Sequence, residues 1–251
     1  DKSYSAEVFD MYRVEQQKHT GISLYSAAEY FDFLVTVSFI ANNSYPIDYK
    51  DIYYPSSIVR FLKALRPDKS PVILFGGNGT EHRYIYDPPL ESRLWLWETA
   101  GVGGGFWNCY FNGSFPAKTL DTRNAYLAGD AYKYILDNQE LIQNLQPVKD
   151  IAIFFSKASG QMLGDDDFSL PLKGIFRLME EGHYQYGFVT DSELDPDILN
   201  QFKVLIMPNV AALSDDHLNI NREWIKGGGR LIATFRTSLF DEFGMQREDF
   251  G

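Results

Sequence analysis

Aromatic and amide side chains are concentrated at residues 107–112 (WNCYFN). Sugar rings have apolar faces that stack on indole and phenol rings, and amides hydrogen-bond the hydroxyl groups of sugars. We therefore predict a carbohydrate-binding surface in which Trp107 and Asn108 contact the substrate. The alternative is aromatic core packing, because alternation along a strand would bury every second one of these residues.

A second polar and aromatic segment, residues 42–46 (NNSYP), follows a predicted strand. The amide of Asn43 and the hydroxyl group of Tyr45 are suited to bind sugar hydroxyls at the end of that strand. The alternative is a plain turn, which the spacing alone favours, because turns are rich in Asn, Ser and Pro.

Glu81 is the candidate catalytic carboxylate, and it begins the segment EHRY at residues 81–84. A cation beside a carboxylate shifts the pKa of the acid, as a nucleophile or a general acid requires. The alternative is a solvated loop with a local ion pair. It is favoured because the sequence offers no second carboxylate matched to Glu81.

Sites for phosphate, metals and cofactors find no support in the sequence. The segment GGNG at residues 76–79 lacks the Gly-Lys-Ser/Thr ending of a phosphate-binding loop, so a sharp backbone turn is expected there. Three aspartates at 165–167 lack the spaced ligands of a calcium loop and are expected in a solvated loop. The four histidines have no zinc-site spacing. We therefore predict no metal and no cofactor.

The composition of the 251 residues excludes several classes of protein. The net charge of −11 argues against nucleic acid as a partner, because phosphate backbones are bound by basic surfaces. A hydrophobic content of 45% excludes a disordered chain, and a single cysteine, Cys109, excludes a disulfide scaffold. No apolar run reaches the length of a membrane span, so no membrane contact is expected. The cellular compartment stays open.

The elements that must position these residues form two parts that meet near residue 148. Fourteen of the 16 tyrosines precede it, and only Tyr184 and Tyr186 follow. We therefore predict two domains, residues 1–147 and 148–251. Because the chain begins with Asp1 rather than Met, we expect it to be a fragment of a longer protein.

Helical and strand patterns alternate along the first part, which is typical of β/α repetition. Strands are predicted at 22–25, 33–37, 72–75 and 104–107. Helices are predicted at 6–17, 56–65, 89–100 and 124–138. In a β/α barrel the loops after the strands carry the site, and the candidate residues above lie at such places.

The second part has the same alternation in a more regular form. Strands are predicted at 151–155, 184–189, 204–207 and 231–234. Helices are predicted at 170–181, at 194–202 and from Ser214 to the glycines at 227–229, with Asp195 and Ser214 as N-terminal caps. Strands that alternate with helices predict a parallel, doubly wound sheet.

Five segments together resemble the β-galactosidases of glycoside hydrolase family forty-two and their relatives. They are residues 90–100 (LESRLWLWETA), 101–107 (GVGGGFW), the predicted helix 124–138, 148–153 (VKDIAI) and 204–244, which begins VLIMPNVAALSDD and ends LFDEFG. The resemblance implies an α/β fold: the C-terminal part of a TIM-type β/α barrel, then a doubly wound, flavodoxin-like domain. That second domain resembles the family's trimerisation domain, which has a class I glutamine amidotransferase-like fold, and it implies a homotrimer.

The resemblance also implies retaining hydrolysis of a β-linked sugar by two glutamates roughly 5 Å apart. In the family, the acid/base lies in an Asn-Glu pair after the fourth strand, and the nucleophile ends the seventh. If strands 33–37, 72–75 and 104–107 are the sixth, seventh and eighth, the acid/base precedes Asp1. The seventh strand runs into LFGG without a glutamate, so Glu81 is the candidate substitute.

Trp107 matches the aromatic residue that forms the floor of the family's sugar site, and Asn43 and Tyr45 match its lip. The resemblance therefore implies a β-galactosidase-like hydrolase, provided that the full-length chain supplies the acid/base. The alternative is a catalytically inactive carbohydrate-binding or assembly protein. Amidotransferases carry a cysteine after the strand that corresponds to 231–234, where this chain has Phe235, so no amidotransfer is expected.

Overall fold

The structure is a computed structural model that describes most of the chain. The described residues are 3–9, 21, 27–37, 41–42, 48–49, 52–75, 89–108, 123–142, 145 and 148–251. They form two compact units: the described residues of 3–9 and 27–145 form one, and residues 21 and 148–251 form the other.

Parallel strands form the sheet of the first unit. The strands that the structure describes in this unit are β1 (Ser5–Phe9), β2 (Phe33–Val37), β3 (Ala41–Asn42), β4 (Asp48–Tyr49), β5 (Val72–Phe75) and β6 (Gly105–Asn108). β1, β2, β5 and β6 lie side by side in this order and are all parallel, whereas β3 and β4 form a short antiparallel pair. Parallel strands whose spatial order follows the chain are the winding of a β/α barrel. The strands predicted at 33–37 and 72–75 are confirmed, and the one predicted at 104–107 is shifted by one residue.

Helices connect these strands. They are a 3₁₀ helix (Ala28–Tyr30), α1 (Tyr54–Leu65), α2 (Pro89–Gly101), α3 (Arg123–Asp137) and α4 (Gln139–Ile142). α1 has Pro55 in its first turn, where the missing N–H of proline costs nothing. At the other end of α1, the guanidinium group of Arg66 donates to the carbonyl oxygens of Ala28 at 2.7 Å and Phe31 at 2.6 Å. These bonds fix the end of α1 to the segment that leads into β2.

Alternation along the strands gives the first sheet two different faces. Val35 and Leu74, with their partly buried neighbours, form a cluster of strand residues on one face. Phe106 lies on the opposite face and packs against Tyr132 of α3, with the ring centroids 4.5 Å apart. Strand residues fill the interior of a β/α barrel and helices cover its outside. The face of Val35 and Leu74 is therefore the inner face, and that of Phe106 is the outer face.

The helix predicted over residues 6–17 is wrong at its start, because residues 5–9 form β1. β1 pairs with β2 in parallel register, so that Ala6 is opposite Leu34 and Val8 is opposite Thr36. Pairing with a distant strand overrides the helical spacing of the apolar residues. Residues 10–17 and the strand predicted at 22–25 lie outside the described residues.

Four parallel strands form the sheet of the second unit. They are β7 (Ile151–Phe155), β8 (Tyr186–Thr190), β9 (Val204–Met207) and β10 (Arg230–Ala233). Their order across the sheet is β8-β7-β9-β10, the 2-1-3-4 order of a flavodoxin-like sheet, and the predicted parallel, doubly wound sheet is confirmed. The order reverses between β7 and β9, and in this class of fold ligands bind beyond the carboxyl ends of the strands at such a point.

Two of the four helices that the structure describes in the second unit begin at capping side chains that were predicted from the sequence. The helices are α5 (Lys157–Leu163), α6 (Asp165–Glu181), α7 (Pro196–Leu199) and α8 (Asp215–Lys226). Asp195 and Ser214 cap α7 and α8 as predicted, since they accept hydrogen bonds from the backbone N–H groups of Ile198 at 2.9 Å and His217 at 3.2 Å. Across all the described residues, no helix has the length and apolar character that crossing a membrane requires.

The three aspartates at 165–167 lie in the first turn of α6 and not in the predicted solvated loop. Acidic side chains are favoured there because the amino terminus of a helix carries a partial positive charge. Asp167 also forms an ion pair with Arg236, whose Nη2 lies 2.8 Å from its Oδ2. The run of acids therefore marks the start of a helix.

The edge strand β10 differs from the rest of its sheet in exposure. β7 and β9 contribute Phe154, Leu205 and Met207 to a buried apolar core that also contains Trp224 of α8. In β10, by contrast, each of the four residues is exposed, and half of the Ile232 side chain (50%) is open to solvent. This edge of the sheet therefore presents apolar side chains, Leu231 and Ile232, to the solvent.

Candidate functional site

The carboxyl ends of β2, β5 and β6 lie at one edge of the first sheet, because the three strands are parallel and adjacent. Phe75 at the end of β5 is opposite Asn108 at the end of β6. In β/α barrels this edge carries the active site. Three of the predicted site residues, Glu81, Asn43 and Tyr45, lie outside the described residues, so their roles stay predictions.

Trp107 lies at this edge on the inner face of the sheet. It is opposite Leu74 in the register of β5 and β6, and so it shares the face of Leu74. The residue is 54% exposed. An indole ring with this exposure offers a flat apolar surface on which the face of a sugar can stack. The role of Trp107 in sugar binding stays a prediction.

Asn108 points to the other face of β6, because successive side chains alternate along a strand. Its side-chain Nδ2 and Oδ1 are both buried, and no hydrogen-bond partner for them lies within the described ranges of the chain. Each unpaired buried polar atom costs about 1–3 kcal/mol. The structure thus places Trp107 and Asn108 next to each other in the chain but on different faces. A ligand stacked on Trp107 meets the inner face, whereas the amide of Asn108 lies on the helix side.

Tyr132 of α3 holds β6 in place from the outer side. Its hydroxyl group donates a hydrogen bond to the carbonyl oxygen of Phe106 at 2.6 Å, and its ring packs against the ring of Phe106. Burial raises the pKa of Tyr132 above its ordinary value, so the hydroxyl keeps its proton and remains a donor at neutral pH. The strand that carries Trp107 is therefore anchored to a helix.

Asp191 is a partly buried acid that the sequence did not reveal. It follows β8 directly, and its carboxylate accepts a hydrogen bond from the backbone N–H of Lys157 in the first turn of α5. The nearby hydroxyl group of Ser156 and backbone N–H of Ala158 act to lower the pKa of this carboxylate. Burial raises the pKa of Asp191 above its ordinary value. This acid connects β8 to α5 near the point where the strand order reverses.

Burial also shifts the pKa values of two oppositely charged groups in the same unit, Lys149 and Glu193. Burial lowers the pKa of Lys149 and raises that of Glu193, and each charge partly offsets the shift of the other. The ammonium group of Lys149 lies 5.2 Å from the ring centroid of Phe202. The hydroxyl group of Thr190 donates to Glu193 at 3.2 Å. Within the part of the chain that the structure describes, no three His, Cys, Asp or Glu side chains are grouped to hold a metal ion.

The turn after β10 is where an amidotransferase-like domain would carry its nucleophile. Phe235 occupies it with a φ of +52°, and the guanidinium carbon of Arg236 lies 4.9 Å from the centroid of its ring. The hydroxyl group of Thr237 donates to the carbonyl oxygen of Thr234 at 2.7 Å. The expected lack of amidotransfer rests on the residue type at this turn, and it stays a prediction.

The sequence matches no protein-family model and no curated protein, but solved structures match it over most of its length. The β-galactosidase from Bacillus circulans sp. alkalophilus superposes with a TM-score of 0.74 and 11% identity, over 98% of this chain and 37% of its own. The β-galactosidase from the Antarctic haloarchaeon Halorubrum lacusprofundi superposes with a TM-score of 0.71 and 13% identity, over 99% of this chain and 40% of its own. The family forty-two exo-carrageenase from Bacteroides ovatus superposes with a TM-score of 0.68 and 14% identity, over 91% of this chain and 34% of its own.

These likenesses concern the fold, because the identities of 11% to 14% are low. This chain spans 34% to 40% of the length of the three solved chains. The parallel sheet of the first unit accordingly corresponds to part of a barrel. The chain has the fold of a portion of the glycoside hydrolase family forty-two β-galactosidases: a partial β/α barrel and a flavodoxin-like sheet.

Proposed function

We propose that the first unit belongs to a β-galactosidase-like glycoside hydrolase and binds its sugar at the carboxyl edge of the first sheet. One observation carries the proposal: Trp107 offers a half-exposed indole ring on the inner face at this edge. The fold shared with family forty-two β-galactosidases supports a β-linked sugar, such as a galactoside, as the substrate class.

Sugar binding is tested by Trp107→Ala in the full-length protein, with galactose titrated by calorimetry. Loss of the stacking surface should weaken binding by about tenfold, because aromatic stacking contributes on the order of 1 kcal/mol. Tyr126→Ala is the matched control, since Tyr126 is an exposed aromatic residue on α3. Equal affinity in the wild type and the Trp107 variant would remove Trp107 from the site.

For catalysis, we propose that Glu81 is one of the two carboxylates that retaining hydrolysis requires. β5 ends in Phe75 where the family pattern has a glutamate, so a carboxylate would have to come from the segment that follows. The full-length chain would supply the other carboxylate. Glu81→Gln should lower kcat on a chromogenic galactoside by about a hundredfold or more, with little change in sugar affinity. Glu140→Gln, on the surface of α4, is the control.

A covalent trap distinguishes a nucleophile from a general acid at Glu81. A 2-deoxy-2-fluoro-β-galactosyl fluoride forms a glycosyl-enzyme that is hydrolysed slowly, and peptide mass mapping locates the adduct. If Glu81 is the nucleophile, the adduct lies on the peptide that contains it. An adduct on another carboxylate, together with unchanged turnover of Glu81→Gln, would exclude Glu81 from the mechanism.

The second candidate function is a carbohydrate-binding protein without hydrolase activity. The observation that favours it is the end of β5, where Leu74 and Phe75 run into two glycines and no carboxylate is present. This protein would bind galactose through Trp107 but would not turn over any glycoside. Binding without turnover by the full-length protein would decide for this candidate.

We further propose that residues 1–147 form the barrel portion and residues 148–251 an assembly domain that does not catalyse amidotransfer. Exposed apolar side chains near the end of the second unit support a role in assembly, among them Ile232, Phe243 and Met245. The resemblance to the family's trimerisation domain favours a homotrimer. Light scattering on the full-length protein should give three times the chain mass, and Ile232→Lys should shift it towards the monomer. A monomeric wild type would refute assembly through this unit.

A further inference from the structure

A cavity of about 330 Å³ lies in the second unit beside β10. Leu218 and Ile225 of α8 and Leu231 and Ala233 of β10 form its apolar walls. The two helix residues are seven positions apart and the two strand residues are two apart, so each pair shares one face of its element. A volume of this size is at the lower end of the range for small-molecule sites.

Asn221 is a buried polar group in the wall of this cavity, which Arg222, Thr234, Thr237 and Ser238 also line. It lines the cavity from α8 between the two apolar helix residues and is only 4% exposed. Its side-chain oxygen, Oδ1, is buried and has no hydrogen-bond donor among the residues that the structure describes. Buried acceptors are normally paired, because an unpaired one has lost its water without replacement. A ligand with an N–H or O–H group in the cavity would supply the missing donor.

Two phenylalanines also line the cavity and favour a flat ring as the ligand. Phe235 and Phe250 both line the cavity with exposed rings. Phe235 adopts a φ of +52°, an uncommon conformation for a bulky residue, and residues held in this way are concentrated at ligand sites. Aromatic rings prefer partners that stack or meet them edge to face.

We propose that this cavity binds a small aromatic molecule that carries a single N–H or O–H donor. The ring lies between the apolar walls of α8 and β10, and the donor pairs with the amide oxygen of Asn221. The binding is non-covalent, and it is separate from the sugar site proposed for the first unit.

Indole and benzothiophene form a matched pair of probes, because they have similar shapes and only indole has an N–H. Calorimetry on the full-length protein should show saturable indole binding with a Kd of about 1 mM or tighter. Benzothiophene should bind about three- to tenfold more weakly in spite of its greater hydrophobicity, which is the effect of one hydrogen bond. Absence of saturable indole binding would overturn the proposal.

Asn221→Leu should abolish the preference for indole over benzothiophene, and Asn219→Leu should keep it. Asn219 is an exposed neighbour on the same helix and does not line the cavity. Ala233→Phe fills the cavity from an exposed position and should block both probes while circular dichroism stays unchanged. This variant tests the location even if Asn221→Leu does not fold. Unaltered indole binding in Ala233→Phe, or an unaltered probe preference in folded Asn221→Leu, would refute the proposed site.

Discussion

Replacing Asp191 with alanine should lower the free energy of unfolding of the second unit by about 1–3 kcal/mol. The carboxylate accepts a hydrogen bond from the backbone N–H of Lys157. Alanine leaves this donor without its acceptor, which costs about 1–3 kcal/mol if the donor stays buried. Removal of a partly buried charge offsets part of this loss.

The raised pKa of Asp191 also predicts how the stability of the second unit changes with pH. Burial raises the pKa of Asp191 in the folded protein, so the folded state holds this proton more tightly than the unfolded chain does. The resulting stabilisation is complete below the unfolded pKa, at about pH 4, and is lost as the pH rises through the raised folded value. Asp191→Asn keeps an acceptor oxygen and has no charge, so it should not show this loss.

Urea unfolding from pH 4 to pH 8, followed by circular dichroism and tryptophan fluorescence, measures both effects. The informative quantity is the difference between wild type and variant at each pH, because other carboxylates contribute equally to both. Asp166→Asn is the control, since Asp166 is an exposed acid in the first turn of α6. A free energy of unfolding of Asp191→Ala within about 0.5 kcal/mol of wild type would contradict a stabilising role of Asp191. So would an Asp191→Asn variant whose stability changes with pH as that of wild type does.

Three other predictions concern stability and use the midpoint of urea or thermal unfolding. Ser214→Ala removes the cap of α8 and should cost about 1 kcal/mol, and an unchanged midpoint would contradict the cap. Tyr132→Phe removes the hydroxyl donor to β6 and should cost about 0.5–1.5 kcal/mol, whereas a stabilised variant would contradict that bond. Gly104→Ala would place a Cβ 2.7 Å from a side-chain carbon of Val59 and should cost about 1–3 kcal/mol. Gly129→Ala meets open space on a helix and should be neutral or stabilising, so equal losses in the two glycine variants would contradict close packing at Gly104.

Local patterns predict much of the fold. The apolar runs at 72–75 and 204–207 are strands as expected, because short runs of this kind suit strands buried in a parallel sheet. The caps Asp195 and Ser214 were predictable, since a capping side chain bonds to a backbone N–H only three residues away. β1 was not predictable in this way, because its partner β2 is distant in the chain and decides its conformation.

At the candidate site too, features set by the local sequence were predictable, whereas features set by pairing with another strand were not. Trp107 was predictable as an aromatic residue at a strand end, and its role in sugar binding stays a prediction. The direction of Asn108 was not predictable, because it depends on the register in which β6 pairs with β5. Asp191 had only its position after a strand as a signal. Its burial depends on the pairing of β7 with β8, which no local pattern reveals.

The connection between α2 and β6 determines which side chains of β6 face the inner side of the sheet. The backbone N–H of Gly104 donates to Thr99 at 2.9 Å, and that of Gly105 donates to Pro71 at 2.8 Å, so the first residue of the strand is fixed. Insertion or deletion of one residue at 102–104 would turn Trp107 towards the helices and bring Asn108 to the inner face. A change of two residues would keep both directions. The length of this connection, and not its composition alone, therefore decides which way the indole ring faces.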